Sequence, residues 1–459
     1  MSSSRPTESA PVTMSPLTNP RTGLFRKHLP LTRDHEVADL VSAAGEAQKS
    51  WRALTPAQRS RRLMRLADRV EERREQYARA EQAGTGKPWE EALGEVMGAS
   101  DVLRFYAGAA RTDSAPAAGR RMTDRESWVR WEPLGVVAAI VPWNYPLMMA
   151  VWRIGPALAV GNSVVLKPAE TTPDTALLLA EDAAELLGKH LLGVLTGDRE
   201  TGQMLVDSSV DAVAFTGSTA GGLDVARRAG LRAVSLELGG NCPALVLPDA
   251  PAHTYTALAA AATYNAGQSC AAPARVITLQ ANHAQTIAGL GEAISALTAG
   301  IDFGPLNNPD QAARYDRILS ASAARVRHTG KVKPAEGEAE GYWRPAAVLA
   351  ELPDDDPAVR EEIFGPVLTV QTARDVEHAI RLANGEEQAL AASVWSSDAG
   401  IALGLADGLD CGEVWVNCHL EQTPELPHGG RRGSGHGTDL STLALTEYQR
   451  PKCVTVRVK

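Results

Sequence analysis

Val136-Val137-Ala138-Ala139-Ile140-Val141 is an unbroken apolar run bounded by Gly135 and Pro142. A strand with one face in water alternates apolar and polar residues, whereas a strand covered on both faces reads apolar throughout. This run is therefore expected to be an interior strand of a parallel sheet. Similar short runs follow at 164–166, 192–195, 212–215, 233–236 and 244–247, separated by helical stretches such as 173–187 and 220–228. Strands alternating with helices imply a mostly parallel sheet wound on both sides, with ligands bound at the carboxyl ends of its strands. The same alternation resumes farther on, with 391–395 and 413–416 expected as strands of a second α/β unit.

Upstream of this run the chain reads as helices. Val37, Leu40, Val41, Ala44 and Ala47 recur at helical spacing over 34–51, with Asp34 or Thr32 as N-cap. Thr55-Pro56 starts a second helix, since Thr caps and Pro suits the first turn. A third is expected over 89–108. Gly84-Thr85-Gly86-Lys87-Pro88 lacks both the P-loop spacing and a preceding strand, so it is not assigned to phosphate. Two stretches with strand period two, Ser127-Trp128-Val129-Arg130-Trp131-Glu132 and Cys453-Val454-Thr455-Val456-Arg457-Val458, fall outside both α/β units.

The chain has 459 residues, 44% hydrophobic and 22% charged, enough for two or three domains. A net charge of -9 argues against a nucleic-acid surface or an anionic membrane, and no apolar run is long enough to span a bilayer. The five cysteines are odd in number and widely spaced, with no metal-ligand pattern, which suits reduced thiols in a cytoplasm. The Ser/Thr/Pro-rich start lacks a signal-peptide core, and residues 1–18 are expected to be a disordered tail.

Several polar residues fall where strands end. Thr216-Gly217-Ser218 joins a strand to a helix and reads either as an anion-binding N-terminus or as a plain turn. Lys167 and Glu170 follow another strand, as ribose ligands or as a surface ion pair. Asn265-Ala266-Gly267-Gln268-Ser269-Cys270 sets a cysteine among small, turn-forming residues, where its sulfur could face a cleft; a buried structural thiol is the alternative.

Taken together these stretches resemble one family. Pro142-Trp143-Asn144-Tyr145-Pro146, Lys167-Pro168-Ala169-Glu170, Phe215-Thr216-Gly217-Ser218, Glu237-Leu238-Gly239-Gly240, Gly267-Gln268-Ser269-Cys270 and Glu361-Glu362-Ile363-Phe364-Gly365-Pro366 are similar, in order and spacing, to the motif series of the aldehyde dehydrogenase superfamily. The resemblance implies an α/β fold with a Rossmann-like NAD-binding domain (19–118 and 134–240), an α/β catalytic domain (241–432) and a small β oligomerisation flap (119–133 and 433–459). It implies Cys270 as nucleophile, Asn144 as oxyanion donor and Glu237 as base for the hydrolytic water. A Glu among Leu236, Leu238 and two glycines is expected to have a raised pKa.

By the same resemblance Trp143, Lys167, Glu170, Gly217, Ser218, Glu362 and Phe364 would hold the cofactor. A carboxylate at Glu170 near the ribose 2′-hydroxyl would repel a 2′-phosphate, favouring NAD over NADP. Gly240 and Gly267 are expected to allow close backbone approach. Tyr145, Trp152 and His428 resemble the substrate pocket of the aminoaldehyde and betaine-aldehyde branch, in which rings attract an ammonium. Leu420 and Gln422 depart from that branch, and Asp439 stands where a Glu is more usual. The start is expected to lack the family's extra N-terminal strands. The partners implied are a small-molecule aldehyde and further copies of the chain, as a homodimer or homotetramer. A CoA-acylating enzyme or a non-catalytic protein on this fold are the alternatives.

Overall fold

In the computed structural model, which describes residues 13–112 and 117–458, the run that opens the alternation is the strand Val136–Ile140, buried at every position. It is the central strand of a five-stranded parallel sheet ordered Leu192–Val194, Ser163–Lys167, Val136–Ile140, Ala212–Gly217, Ala233–Leu238. The helices Pro146–Ala159, Asp174–Leu186, Arg199–Asp207 and Thr219–Ala229 connect these strands. Thr55 accepts from the Gln58 amide N–H at 3.3 Å to cap Pro56–Glu72, whose Leu63, Leu66 and Val70 are fully buried. Truncating any one of these leucines to Ala costs about 2–5 kcal/mol.

A second sheet of seven strands is ordered Val326–Thr329, Ala347–Ala350, Val367–Ala373, Pro273–Leu279, Cys242–Val246, Ala391–Trp395, Glu413–Val416, and only the first pairs antiparallel. The chain crosses between sheets in the short link from Leu238 to Cys242, joining the carboxyl end of an edge strand of one sheet to the start of an interior strand of the other. Arg275 Nε and Asn241 Nδ2 fix that crossing, donating to Asn241 O at 3.0 Å and Val359 O at 2.6 Å. A third sheet pairs Gln449–Arg457 with Arg125–Pro133 and Gly119–Met122, so the two period-two stretches are neighbours, with Cys453 opposite Val129.

Three expectations need correction. Residues 1–12 of the supposed tail lie outside the described residues, but Met14–Thr18 is a strand paired with Phe25–Pro30, so 14–18 are ordered and the N-terminal strands are present. Leu17 and Leu29, at 2% and 3% exposure, bury one face of this hairpin, a signal diluted by the Ser, Thr and Pro around it. The helix Asp34–Arg52 is capped by Arg33, whose backbone N–H donates to Glu36 Oε2 at 2.8 Å, and not by Thr32 or Asp34. Among the described residues no helix is long and apolar enough to cross a membrane.

Candidate active site

The helix Thr254–Thr263 gives way to Asn265, Ala266 and Gly267, which pass in succession through the left-handed region at φ 49°, 55° and 71°. Each non-glycine residue there costs about 1 kcal/mol or more. The Asn265 N–H donates to Glu91 Oε2 at 3.0 Å and its Nδ2 to Asn144 O at 2.9 Å. Gln268 Nε2 donates to Asn265 O at 2.9 Å, while Gln268 Oε1 accepts from the Asn307 N–H at 2.9 Å. A Cβ on Gly267 would collide with the Gly365 backbone and one on Gly240 with Cys270 O, so both expected close approaches occur. The loop thereby holds Cys270 half-buried in the wall shared by two cavities of about 290 and 330 Å³.

Asn144 follows the central strand and is 4% exposed. Its Nδ2 donates to Gln268 O at 2.9 Å, and a second amide hydrogen remains for the cavity it shares with Cys270. Beneath it, Lys87 Nζ donates to Asn144 O at 3.2 Å, to Glu81 at 3.3 Å and to Glu95. Burial opposes the Lys87 charge, but Glu95 and Glu81 outweigh it and hold the pKa above the usual lysine value. Gly86, at φ 80°, ends the helix Arg74–Thr85 and turns this lysine inward.

Glu237, near the end of Ala233–Leu238, is 3% exposed and faces the same cavity as Cys270. Among the described residues neither of its carboxylate oxygens has a hydrogen-bond partner. Burial and then the Asp439 charge push its pKa well above 4.5, against His428 and Arg153. Arg153, fully buried in Pro146–Ala159, pairs with Asp439 at 3.1 Å and donates to Thr216 Oγ1 at 2.7 Å and Ser235 Oγ at 3.1 Å.

A cavity of about 350 Å³ continues from this chamber through the shared Trp143, Gly217 and Ser218, past Lys167 and Glu170. Lys167 Nζ donates to Pro168 O at 2.9 Å and stands 3.8 Å from Glu170; burial lowers its pKa. Ser218 caps Thr219–Ala229 by accepting from the Gly221 N–H at 3.2 Å. Glu362 Oε1 accepts from the Gly240 N–H at 3.1 Å, and burial raises its pKa to about 7. Phe364, at φ 56°, meets Trp143 edge-on with ring centres 5.4 Å apart. Gln311 Nε2 donates to Ile363 O and Phe364 O, and Arg314 to Glu362 O, fixing this loop. These features fit a dinucleotide: an anion-ready helix start, a cation with a carboxylate beside it, and at the inner end the partly buried Glu362 carboxylate, whose oxygens accept from the Gly240 N–H and Gln388 Nε2.

On its other side Cys270 opens into the 330 Å³ cavity, lined by Tyr145, Trp152, Tyr264, Met148, Glu95, Asp101, Leu420 and Gln422. Tyr145 is the N-cap residue of Pro146–Ala159 and stacks near Tyr264 at 6.4 Å, with Lys87 Nζ 4.6 Å from its ring centre. His428 lies in the inner chamber with Cys270 and Glu237, its ring 5.3 Å from that of Trp152. Sequence reasoning weighed Lys87 only within a phosphate loop, which it set aside, and it singled out neither Glu95 beneath Asn144 nor Arg153 behind Glu237. Arg153 had a signal, a lone charge within an apolar helix; Lys87 had only its place after a glycine cap.

Residues 7–454 match the family model described as Aldehyde dehydrogenase family. A phenylacetaldehyde dehydrogenase of Pseudomonas fluorescens is 37% identical over 95% of this chain and 91% of its own length. A betaine aldehyde dehydrogenase of Staphylococcus aureus, solved with NAD+, superposes with a TM-score of 0.93 at 29% identity, covering 99% of this chain and 93% of its own. PnpE, solved with nicotinamide adenine dinucleotide, gives 0.92 at 32% identity, covering 97% and 95%.

Proposed function

The chain belongs to the aldehyde dehydrogenase family, and from this premise we propose that it oxidises an aldehyde to the carboxylic acid with NAD+, through an acyl group carried on Cys270. The observation that carries this reading is the single chamber holding Cys270, Asn144, Glu237 and Glu362.

The Cys270 thiolate adds to the aldehyde carbon, and the carbonyl oxygen becomes an oxyanion facing Asn144 Nδ2 and the Cys270 N–H. Bound NAD+ would supply the acceptor for the hydride that this adduct expels. The thioester left on Cys270 is then hydrolysed by a water that gives its proton to Glu237. Desolvation makes that carboxylate a stronger base than an exposed one. Lys167, Glu170, Ser218 and Glu362 bind the cofactor, and Glu170 disfavours a 2′-phosphate, so NAD is preferred to NADP. The cofactor domain spans 19–118 and 134–240 and the catalytic domain 241–432, with the three-stranded sheet joining subunits in a dimer or tetramer. The five free thiols suit a reducing compartment such as the cytoplasm.

The substrate is proposed to be an ω-aminoaldehyde, on the strength of the Tyr145, Trp152 and Tyr264 rings and the Asp101 carboxylate around the outer cavity. A second reading, an arylacetaldehyde, is favoured by Lys87 already standing over Tyr145 and by Val102, Met148, Met149 and Leu440 in the same walls.

The test is NADH formation from a panel of aldehydes, each with and without CoA. Oxidation without CoA is expected; a strict CoA requirement would replace hydrolysis by acyl transfer, and no NADH from any aldehyde would defeat the proposal. Trp152→Ala should raise KM for an ω-aminoaldehyde more than for a neutral aldehyde of equal length. Equal effects, with phenylacetaldehyde the better substrate, would favour the second reading.

A further inference from the structure

The buried residue this mechanism leaves unused is His428, 3% exposed and beside the nucleophile. Its backbone is pinned by reciprocal bonds with Asp439, N–H to carbonyl at 2.8 and 2.7 Å. Its Nδ1 lies 3.1 Å from Glu413 Oε2, on the strand Glu413–Val416, while Gln422 Nε2, which can donate only to an unprotonated Nδ1, stands 2.9 Å from that nitrogen and donates to Glu413 Oε2 at 3.4 Å. Once Nδ1 is protonated and donates to Glu413, Nε2 is the ring nitrogen left for the chamber that His428 lines together with Cys270. The other histidine near Cys270 is placed differently: both nitrogens of His419 are engaged, by Ser393 Oγ and Ala271 O at 2.8 Å, and burial lowers its pKa to about 4.

We propose that His428, oriented by Glu413, is the catalytic base that takes the Cys270 proton, leaving Glu237 free for the hydrolytic water. The inference rests on the proposed role of Cys270 as nucleophile. In this step the S–H bond breaks with its electron pair left on sulfur, and the proton moves to His428 Nε2, forming an imidazolium held by Glu413. That proton stays on His428 through oxidation and hydrolysis, and cleavage of the thioester restores the thiolate beside it.

The surroundings support charge on this ring. Burial disfavours the imidazolium, but the hydrogen bonds to Cys270 and Glu413 and the charges of Cys270 and Glu237 outweigh it. Asp439 also faces the ring, with Arg153 paired behind it. Glu237 has no hydrogen-bond partner among the described residues, so unlike His428 it has no group that orients it toward the Cys270 proton.

Iodoacetamide alkylation of Cys270, read by peptide mass spectrometry across pH, tests the step without any turnover. Near neutral pH, alkylation in His428→Phe is expected to be slower than in the wild-type protein by about tenfold or more, with a smaller slowing in Glu413→Gln, and both differences should shrink as pH rises. A Glu413→Gln profile superimposed on the wild type overturns the proposal even if His428→Phe does not fold. Should the wild-type protein oxidise no aldehyde, the dehydrogenase reading falls by itself, while the alkylation profile still decides whether the pair exists.

Discussion

Lys87 donates to the backbone carbonyl oxygen of Asn144 at 3.2 Å from a side chain that is 1% exposed. One buried cation thus supports the residue proposed to hold the oxyanion while neutralising Glu81 and Glu95. Replacing Lys87 by Met leaves both carboxylates without their counter-charge. A loss of about 3–5 kcal/mol is expected in urea unfolding. Burial already pushes the Glu81 pKa well above 4.5, so protonation relieves the variant and the loss should be smaller near pH ~5 than near pH ~8.

Cys270→Ala should abolish aldehyde oxidation while leaving the unfolding midpoint close to wild type. The residue is half-buried in a cavity wall, and removing its sulfur leaves no unpaired buried charge. Retained turnover would remove Cys270 from the chemistry.

Glu237→Gln should let a covalent acyl-enzyme accumulate, visible as added mass on the intact chain. Burial and the Asp439 charge raise the Glu237 pKa, so its basic form grows as pH rises. Deacylation-limited turnover of the wild type is therefore expected to climb with pH and fall on acidification. A flat profile, or no adduct in the variant, would assign the base elsewhere.

Glu91 has its pKa raised to about 7, chiefly by burial, while an unfolded glutamate titrates near the ordinary 4.5. Between these values the folded chain binds the extra proton, so stability from this group is full below about 4.5 and is lost as pH rises through about 7. The shift corresponds to about 3 kcal/mol at most. Glu91→Gln keeps an oxygen that can accept from the Asn265 N–H and should flatten the decline in unfolding free energy across that window. An unchanged decline would mean that Glu91 does not titrate there.

Light scattering should give a mass at least twice that of one chain if the paired strands Arg125–Pro133 and Gln449–Arg457 join subunits. A monomer would leave this sheet as an extension of a single molecule.

The strand Val136–Ile140 was legible because both its faces are covered, so every residue had to be apolar. Met14–Thr18 was not, because it buries little beyond Leu17 and carries Pro16 within it. The same division runs through the site. Cys270, Asn144 and Glu237 stand in short ordered motifs, whereas the polar groups that tune them come from elsewhere. Arg153 meets Asp439, and His428 meets Glu413, only because separate segments converge on one chamber. No periodicity links such residues, since the constraint between them is spatial and electrostatic. Tyr145, Trp152 and His428 were expected in one pocket, and the Trp152 and His428 rings do approach, but His428 lines the inner chamber with Glu237 and not the outer cavity that Tyr145 lines.

Cys270, Met149 and Trp152 form the partition between two cavities, one continuous with the groove proposed for the dinucleotide and the other not. The sulfur is therefore reachable through two separate doors. A dinucleotide filling one corridor leaves the other open, so neither reactant needs to depart before its counterpart arrives. Saturating NAD+ should then leave Cys270 exposed to small electrophiles, and reagents shaped for the aldehyde corridor should inactivate the protein whether or not the dinucleotide is in place.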